Sequence, residues 1–316
     1  MTEENFSTHK GQILRHTMGF YQVELPSGEE IACKAKSTFI HPNQANQLAI
    51  GDAVKIQKFE QGGFGRILEV FPRTSVFQRK RTYFVHPHVV AANVDFCLMV
   101  ASIHNPPIRG SLLARFLILA DWGKIQPILV LTKSDLATKE ETEFWKNLFE
   151  KIQVSVFAIS SHQKLDLDRL KKTIEGKISM LIGHSGVGKS SLLNQLFPNV
   201  KVKTAPTNAK TQKGRHTTSL AAMYKPEKNF SIIDTPGVRD CQLFFDDITL
   251  VGRYYPPFHP FEGKCSIKNC IHLSEANCAI KNAVVEGRLD PWFYKAYQKC
   301  LEQENKTHSQ SQRLKK

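Results

Sequence analysis

Residues 182–192 read IGHSGVGKSSL and place Gly183, Gly188, Lys189 and Ser190 in the spacing G-x4-G-K-S, directly after an apolar run at 177–182. A strand, a glycine-rich loop and a helix start in that order fix a local geometry and a ligand class together. Backbone N–H groups from Gly183, His184, Ser185, Gly186, Val187 and Gly188 can converge on phosphate oxygens. Lys189 reaches the outer phosphates, and the Ser190 hydroxyl, followed by Ser191, suits Mg2+. Nucleotide phosphate is the expected ligand.

The surroundings agree with that reading. From about residue 94, apolar runs (DFCLMVAS, PILVLTKSDL, VSVFAIS) alternate with helical ones (SLLARFLILADWGK, ETEFWKNLFEKI, LDLDRLKKTIEG) up to the loop's own strand. Such alternation predicts an α/β domain with a largely parallel sheet. Ahead of it, residues 11–70 hold about five short alternating stretches separated by turn signals at Pro26-Ser27-Gly28, Gly51-Asp52 and Gly62-Gly63. They predict a small all-β barrel of the OB kind. Phe77-Gln78-Arg79-Lys80-Arg81 reads as a basic, solvated connector between the two.

Base identity is expected to be set at Thr132-Lys133-Ser134-Asp135, where the strand PILVL ends. A carboxylate at Asp135 accepts from the ring imino and exocyclic amino donors of guanine; adenine presents an acceptor at the imino position. Lys133 would lay its methylene stem along the base, and Ser160 and Ser161 would offer backbone N–H to the guanine carbonyl. GTP is therefore favoured over ATP. Downstream, Asp234-Thr235-Pro236-Gly237 follows another apolar run. Asp234 can hold Mg2+ through water and the Gly237 N–H can meet the γ-phosphate. In Gly214-Arg215-His216-Thr217-Thr218, either threonine can complete the metal shell. Val238 stands where GTPases place a water-orienting glutamine, so His216 becomes the candidate for that task, with Lys189 and Thr218 as the other catalytic residues.

Charge points to a partner. The chain carries 43 Lys and Arg against 29 Asp and Glu, for a net +14. The barrel region is neutral, whereas residues 190–226 contain no acid and carry Lys201, Lys203, Lys210, Lys213, Arg215 and Lys225. A single-sign strip beside a phosphate loop suits RNA phosphates.

Seven cysteines, an odd number, disfavour a disulfide framework. Four ligands cluster instead: Cys265, Cys270, His272 and Cys278, spaced C-x4-C-x-H-x5-C. Three thiolates and an imidazole complete one tetrahedral, structural Zn2+. His259 is a competing ligand, while Cys33, Cys97, Cys241 and Cys300 read as core or surface residues. Residues 282–303 read as helical and 307–316 as a disordered basic tail. The polar opening MTEENFSTHK carries no secretory signal and no apolar run approaches a membrane span, so a cytoplasmic protein is expected.

At 316 residues and 41% hydrophobic, the chain divides into an expected barrel (1–73), an α/β GTPase domain (74–245), and a zinc-binding helical module with a basic tail (246–316). The order TKSD, GHSGVGKS, GRHTT, DTPG is permuted, since most GTPase chains begin with the phosphate loop. That order and the flanking modules resemble the circularly permuted RsgA (YjeQ) family of small ribosomal subunit assembly GTPases. The resemblance implies late subunit maturation, binding to the small subunit and its rRNA, and hydrolysis stimulated by the subunit. Neither DNA nor membrane is an expected partner, and a monomer is expected. Two other readings fit the residues less fully: an RNA-binding scaffold using GTP only as a structural ligand, and a P-loop ATPase or kinase, which leaves TKSD unexplained.

Overall fold

The computed structural model describes residues 6–36, 39, 47–59, 63–79, 87–160, 165–199, 221–234, 242–243, 245 and 247–313. Strands β1 (Phe6–Thr17), β2 (Phe20–Glu24), β3 (Glu30–Ala35), β4 (Ala53–Phe59) and β5 (Phe64–Val70) pair in the order β1-β2-β3-β5-β4, and β4 returns to β1 to close a barrel. Pairing is antiparallel except between β3 and β5. Alternation sends Ile13, Val23, Ile31, Cys33, Val54, Ile56 and Ile67 into an apolar interior. Gly65 is at an inward position of β5, where a Cβ would lie 2.7 Å from Cys33 Sγ. At the barrel's exit, buried Asp52 takes a two-pronged bond from Arg73, Nε at 2.7 Å and Nη2 at 2.8 Å.

The connector expected at Phe77–Arg81 is not a solvated linker where it is described. β6 (Val76–Arg79) pairs antiparallel with β7 (His88–Ala92), and Phe77 is fully buried. Alternation within Val-Phe-Gln-Arg decides this: the ring goes in while Gln78 and Arg79 are only half-buried, and a run of basic residues concealed a strand. Lys80 and Arg81 lie outside the described residues.

The α/β part runs through β8 (Phe96–Ser102), α1 (Gly110–Trp122), β9 (Gln126–Thr132), α2 (Lys139–Glu150), β10 (Ser155–Ile159), α3 (Leu165–Ile174), β11 (Ile178–Ile182), α4 (Lys189–Leu196), β12 (Ala222–Tyr224) and β13 (Ser231–Asp234). Its sheet order is β10-β9-β8-β11-β13-β12, parallel except for edge strand β12, which also bridges to β1 at Arg15 and Ala222. Period-two alternation splits the core between the faces. Leu98, Val100, Ile128, Val130 and Leu181 pack with Leu170 and Ile174 of α3 and Leu192 and Leu196 of α4. Met99, Leu129, Leu131, Met180 and Ile182 pack with α1 and the C-terminal region. Helix α1 is buried nearly all round because it lies between the sheet and that region.

The C-terminal region begins with two 3-10 segments, Ile248–Tyr254 and Pro256–Phe261, and ends with α5 (Ala279–Val285) and α6 (Pro291–Arg313). The single helical stretch expected at 282–303 is broken: Gly287 takes φ 72°, and Asp290 Oδ1 accepts the Trp292 N–H before Pro291 opens α6. The backbone then stays helical through Arg313, where a disordered tail was expected. No glycine or proline interrupts residues 292–313. Helix α6 is bolted to α1 by a buried pair, Arg115 Nε to Glu304 Oε1 at 2.8 Å. Trp292 meets Trp145 of α2 edge-on, with ring centroids 5.1 Å apart. No described helix is long and apolar enough to cross a membrane.

Candidate functional site

The phosphate-loop sequence turns from β11 into α4. Gly183 must be a glycine, since a Cβ would lie 2.3 Å from the Val100 carbonyl oxygen of the neighbouring strand. Gly186 and Gly188 adopt φ 82° and 94°, left-handed values that cost glycine little. Gly188 caps α4 with no side-chain acceptor, so the first N–H groups of the helix and the positive end of its dipole meet the loop. Lys189 folds across the loop: its Nζ donates to the carbonyls of Gly183 at 2.8 Å and His184 at 3.1 Å. Val187 is buried, His184 and Ser190 are half-buried, and Ser185, Gly186 and Ser191 are exposed.

The TKSD segment is fastened to that loop. Buried Thr132 ends β9 with its Oγ1 between the carbonyls of Ala101, 3.1 Å away, and Val187. Lys133, at φ 54°, donates from Nζ to Asn105 O at 2.6 Å and Gly186 O at 2.9 Å, so its stem spans from β9 to the phosphate loop. Ser134–Leu136 forms one 3-10 turn that leaves Asp135 exposed. Thr138 then caps α2 in a reciprocal box with Glu141. Ser160 sits buried beyond β10, whose Ile159 pairs with Thr132, and Asp234 ends β13 opposite Leu181. Four strands thus deliver these residues to one carboxyl edge of the sheet, where open α/β sheets take ligands. Ser161, His216, Thr217, Thr218 and Gly237 lie outside the described residues, as do Lys201, Lys203, Lys210, Lys213 and Arg215 of the basic strip. Lys225 of that strip is occupied, bonded to Glu24 of the barrel.

Sequence reasoning missed the β8–α1 loop as a wall of this site. Asn105 anchors Lys133, and Pro106 Cδ lies 3.9 Å from where a Gly186 Cβ would stand. Its signal was present: Asn105-Pro106-Pro107 closely follows a buried parallel strand.

The Cys265, Cys270, His272 and Cys278 ligand atoms all lie within 4.8 Å of one another. His272 Nδ1 is 3.4 Å from Cys278 Sγ and 3.6 Å from Cys265 Sγ. Burial pushes the Cys270 thiol up to about 12, so a thiolate there needs a cation beside it. Glu275 orders the loop by accepting N–H from Ile271 at 2.5 Å and Leu273 at 2.8 Å. His259 is not a member; its Nε2 lies 3.4 Å from Asp121 of α1. Cys33, Cys97 and Cys300 are buried away from the cluster, and Cys241 lies outside the described residues.

A glycine-rich loop between a parallel strand and a helix, fastened to TKSD from a strand that precedes it in the chain, defines a permuted P-loop nucleotide-binding protein. Residues 70–244 match the model of the RsgA GTPase family. The small ribosomal subunit biogenesis GTPase RsgA 2 of Bacteroides thetaiotaomicron is 32% identical over 93% of this chain and 96% of its own. RsgA of Flavobacterium psychrophilum is 30% identical over 94% of each. Among solved structures, YjeQ from Thermotoga maritima superposes with a TM-score of 0.73 at 26% identity, covering 94% of this chain and 99% of its own. YloQ, a circularly permuted GTPase, gives 0.71 at 27% identity, covering 95% and 96%. The chain belongs to the RsgA GTPase family and is a GTP hydrolase, for which membership implies GTP and Mg2+.

Proposed function

We propose that this GTPase acts in late assembly of the small ribosomal subunit, binding the subunit through its rRNA and leaving after hydrolysis. The observation that carries the reading is the extent of the match: relatives named for that process align over more than nine-tenths of the chain, barrel and cysteine cluster included. Three working units follow, with boundaries near residues 73 and 245. A monomer in the cytoplasm, with no role for DNA, completes the reading.

At the nucleotide, phosphate oxygens would replace the carbonyls that hold Lys189 Nζ, and the exposed Asp135 carboxylate would take the two guanine donors. Ser190 and Asp234, with Thr217 or Thr218, would supply the oxygen donors that Mg2+ prefers, and the bound ion would supply charge neutralisation at the phosphates. Val238 offers no hydrogen bond to a water, so His216 orients it once rRNA orders the strip. The soft Cys3His set fits one structural Zn2+.

GTP and ATP turnover, measured with and without small subunits, tests this. Hydrolysis should be slow alone, selective for GTP and strongly stimulated by subunits, with His216→Ala losing most of the stimulation at unchanged GTP affinity. Stimulation absent from the wild type, or equal with large subunits, would remove the ribosomal role.

A further inference from the structure

Spacing alone accounts for His184 in the phosphate loop through its backbone N–H, yet its side chain is bonded into the loop as well. Five consecutive loop carbonyls each meet a donor. Lys189 Nζ takes those of Gly183 and His184. Then His184 Nδ1 lies 2.8 Å from Ser185 O, Lys133 Nζ lies 2.9 Å from Gly186 O, and Thr132 Oγ1 bonds the Val187 carbonyl. A carbonyl can only accept, so His184 Nδ1 carries its proton in the neutral ring and the charged one alike.

The last three bonds aim the far end of each peptide. A trans peptide points its N–H away from its own carbonyl, and the one cis bond among the described residues is Asn105–Pro106. Holding the carbonyls of Ser185, Gly186 and Val187 therefore turns the N–H groups of Gly186, Val187 and Gly188 the opposite way. No described group accepts any of these three. Neighbouring backbone donors without acceptors suit phosphate oxygens. Two of the three holds come from the end of β9, but the Ser185–Gly186 peptide is held from within the loop. Gly186 sits at φ 82° with no Cβ to restrain it, so this peptide is the one most in need of a hold. His184 is placed for the task, its half-buried residue sharing a small cavity with Pro106, Arg109 and Phe116 at the start of α1.

We propose that the His184 side chain is a positioning residue for GTP hydrolysis, fixing the Ser185–Gly186 peptide so that the Gly186 N–H points at the phosphates before GTP arrives. Loop N–H groups of this kind cradle the inner phosphates, and the β-phosphate is the leaving group, which gains charge as its bond to the γ-phosphate breaks. A donor already aimed there needs no reorganisation at that moment. His184 acts through the peptide and does not touch the nucleotide. The inference rests on the phosphate loop as the GTP site and is independent of the ribosomal partnership.

The test is single-turnover GTP hydrolysis by the full-length protein without ribosomes, with GTP affinity and a thermal melt measured on the same preparations. His184→Leu keeps bulk in the cavity but has no donor. Its hydrolysis should slow about tenfold, short of the roughly 10²–10³-fold loss for deleting a donor outright, because the Gly186 N–H remains but is no longer held. GTP affinity should change by less than about threefold, since the effect falls on the chemical step, and the melting temperature should stay in place. His184→Asn is the rescue: its amide nitrogen, like Nδ1, is attached to Cγ and reaches the same carbonyl, so the rate should return to within about threefold of wild type. Hydrolysis by His184→Leu as fast as wild type, or by His184→Asn as slow as His184→Leu, would overturn the assignment. So would a loss of affinity as large as the loss of rate, which would put the imidazole on the nucleotide itself. Lys189→Ala in parallel separates the readings. If it is impaired while His184→Leu is not, His184 alone is rejected; if it hydrolyses as wild type does, the phosphate loop is not the site and the proposal falls with it.

Discussion

The phosphate loop and the cysteine cluster are both tight loops that turn on left-handed residues, yet they are finished in opposite ways. In the loop the left-handed positions are Gly186 and Gly188. In the cluster they are His272 at φ 63° and Asn277 at φ 53°. Glycine adopts such angles freely, whereas a side chain bearing a Cβ is strained there by about 1 kcal/mol or more. The loop is left open: Lys189 donates to the carbonyls of Gly183 and His184, α4 starts with no side-chain cap, and Asp135 faces solvent. The cluster is closed from behind. A Cβ on Gly252 would come within 2.8 Å of the His272 ring, Tyr294 donates to His272 O at 3.0 Å, and Tyr297 to Ile271 O at 3.2 Å. An open loop that turns on glycines suits a ligand exchanged every cycle. A strained, backed site needs a ligand that stays.

Metal removal should separate the two most sharply. A bound structural metal contributes on the order of 10 kcal/mol to folding such a loop. Chelation, or Cys270→Ser, is expected to abolish hydrogen-exchange protection around residues 263–285 while GTP still binds. Protection that survives in a protein shown by elemental analysis to be metal-free would mean that the aromatic backing alone holds the cluster.

The open site breaks differently. Lys189→Ala removes the cation that bridges the Gly183 and His184 carbonyls, and turnover should fall by roughly 10²–10³-fold, the usual loss for one preorganised charge. The melting temperature should hardly move, since water can replace the Lys189 ammonium at the Gly183 and His184 carbonyls. Single-turnover hydrolysis beside a thermal melt checks both halves, and a large drop in melting temperature would show that the lysine has a structural task as well.

How much of this was legible in the chain depended on the range of the interaction. Strands and helices from β8 to α4 were readable because period and capping are local, and so were the barrel's alternation and the spacing of Cys265 to Cys278. Contacts between distant segments were not. Nothing near Asn105 announces that its carbonyl will hold Lys133, and nothing in LLARF pairs Arg115 with Glu304, far along the chain. One clue to that pair went unread: a helix apolar on every side, as α1 is, needs a second partner beyond the sheet. Charge misled at Phe77–Arg79, where composition suggested solvent and alternation gave a strand. At residues 282–303 the break was written in Gly287 and Pro291.

A smaller effect is expected from Asp135→Asn, which replaces a charged acceptor by an amide able to satisfy only part of the guanine edge. GTP affinity should drop by about 2 kcal/mol, roughly 30-fold. Isothermal titration against GTP and ATP would decide it. Unchanged GTP affinity would detach TKSD from base recognition and leave it as a brace for the phosphate loop.

The smallest effect should come from the brace itself. Thr138 Oγ1 accepts the Glu141 N–H at 3.2 Å and Glu141 Oε2 accepts the Thr138 N–H at 2.9 Å, a box that starts α2 two residues after the 3-10 turn bearing Asp135. The same Oε2 lies 3.0 Å from His104 Nε2 in the β8–α1 loop, so one carboxylate links the helix start to the wall behind Lys133. Thr138→Ala should cost about 1 kcal/mol of stability, the usual value of a lost cap. Its effect on GTP affinity should be smaller than that of Asp135→Asn, since the cap orients the turn without touching nucleotide. Denaturant unfolding and titration on one preparation give both numbers. If affinity falls as far as in Asp135→Asn while stability holds, the turn bearing Asp135 is set by its cap more than by Thr132 and Lys133, and the open site depends on its flanks as the closed one depends on its backing.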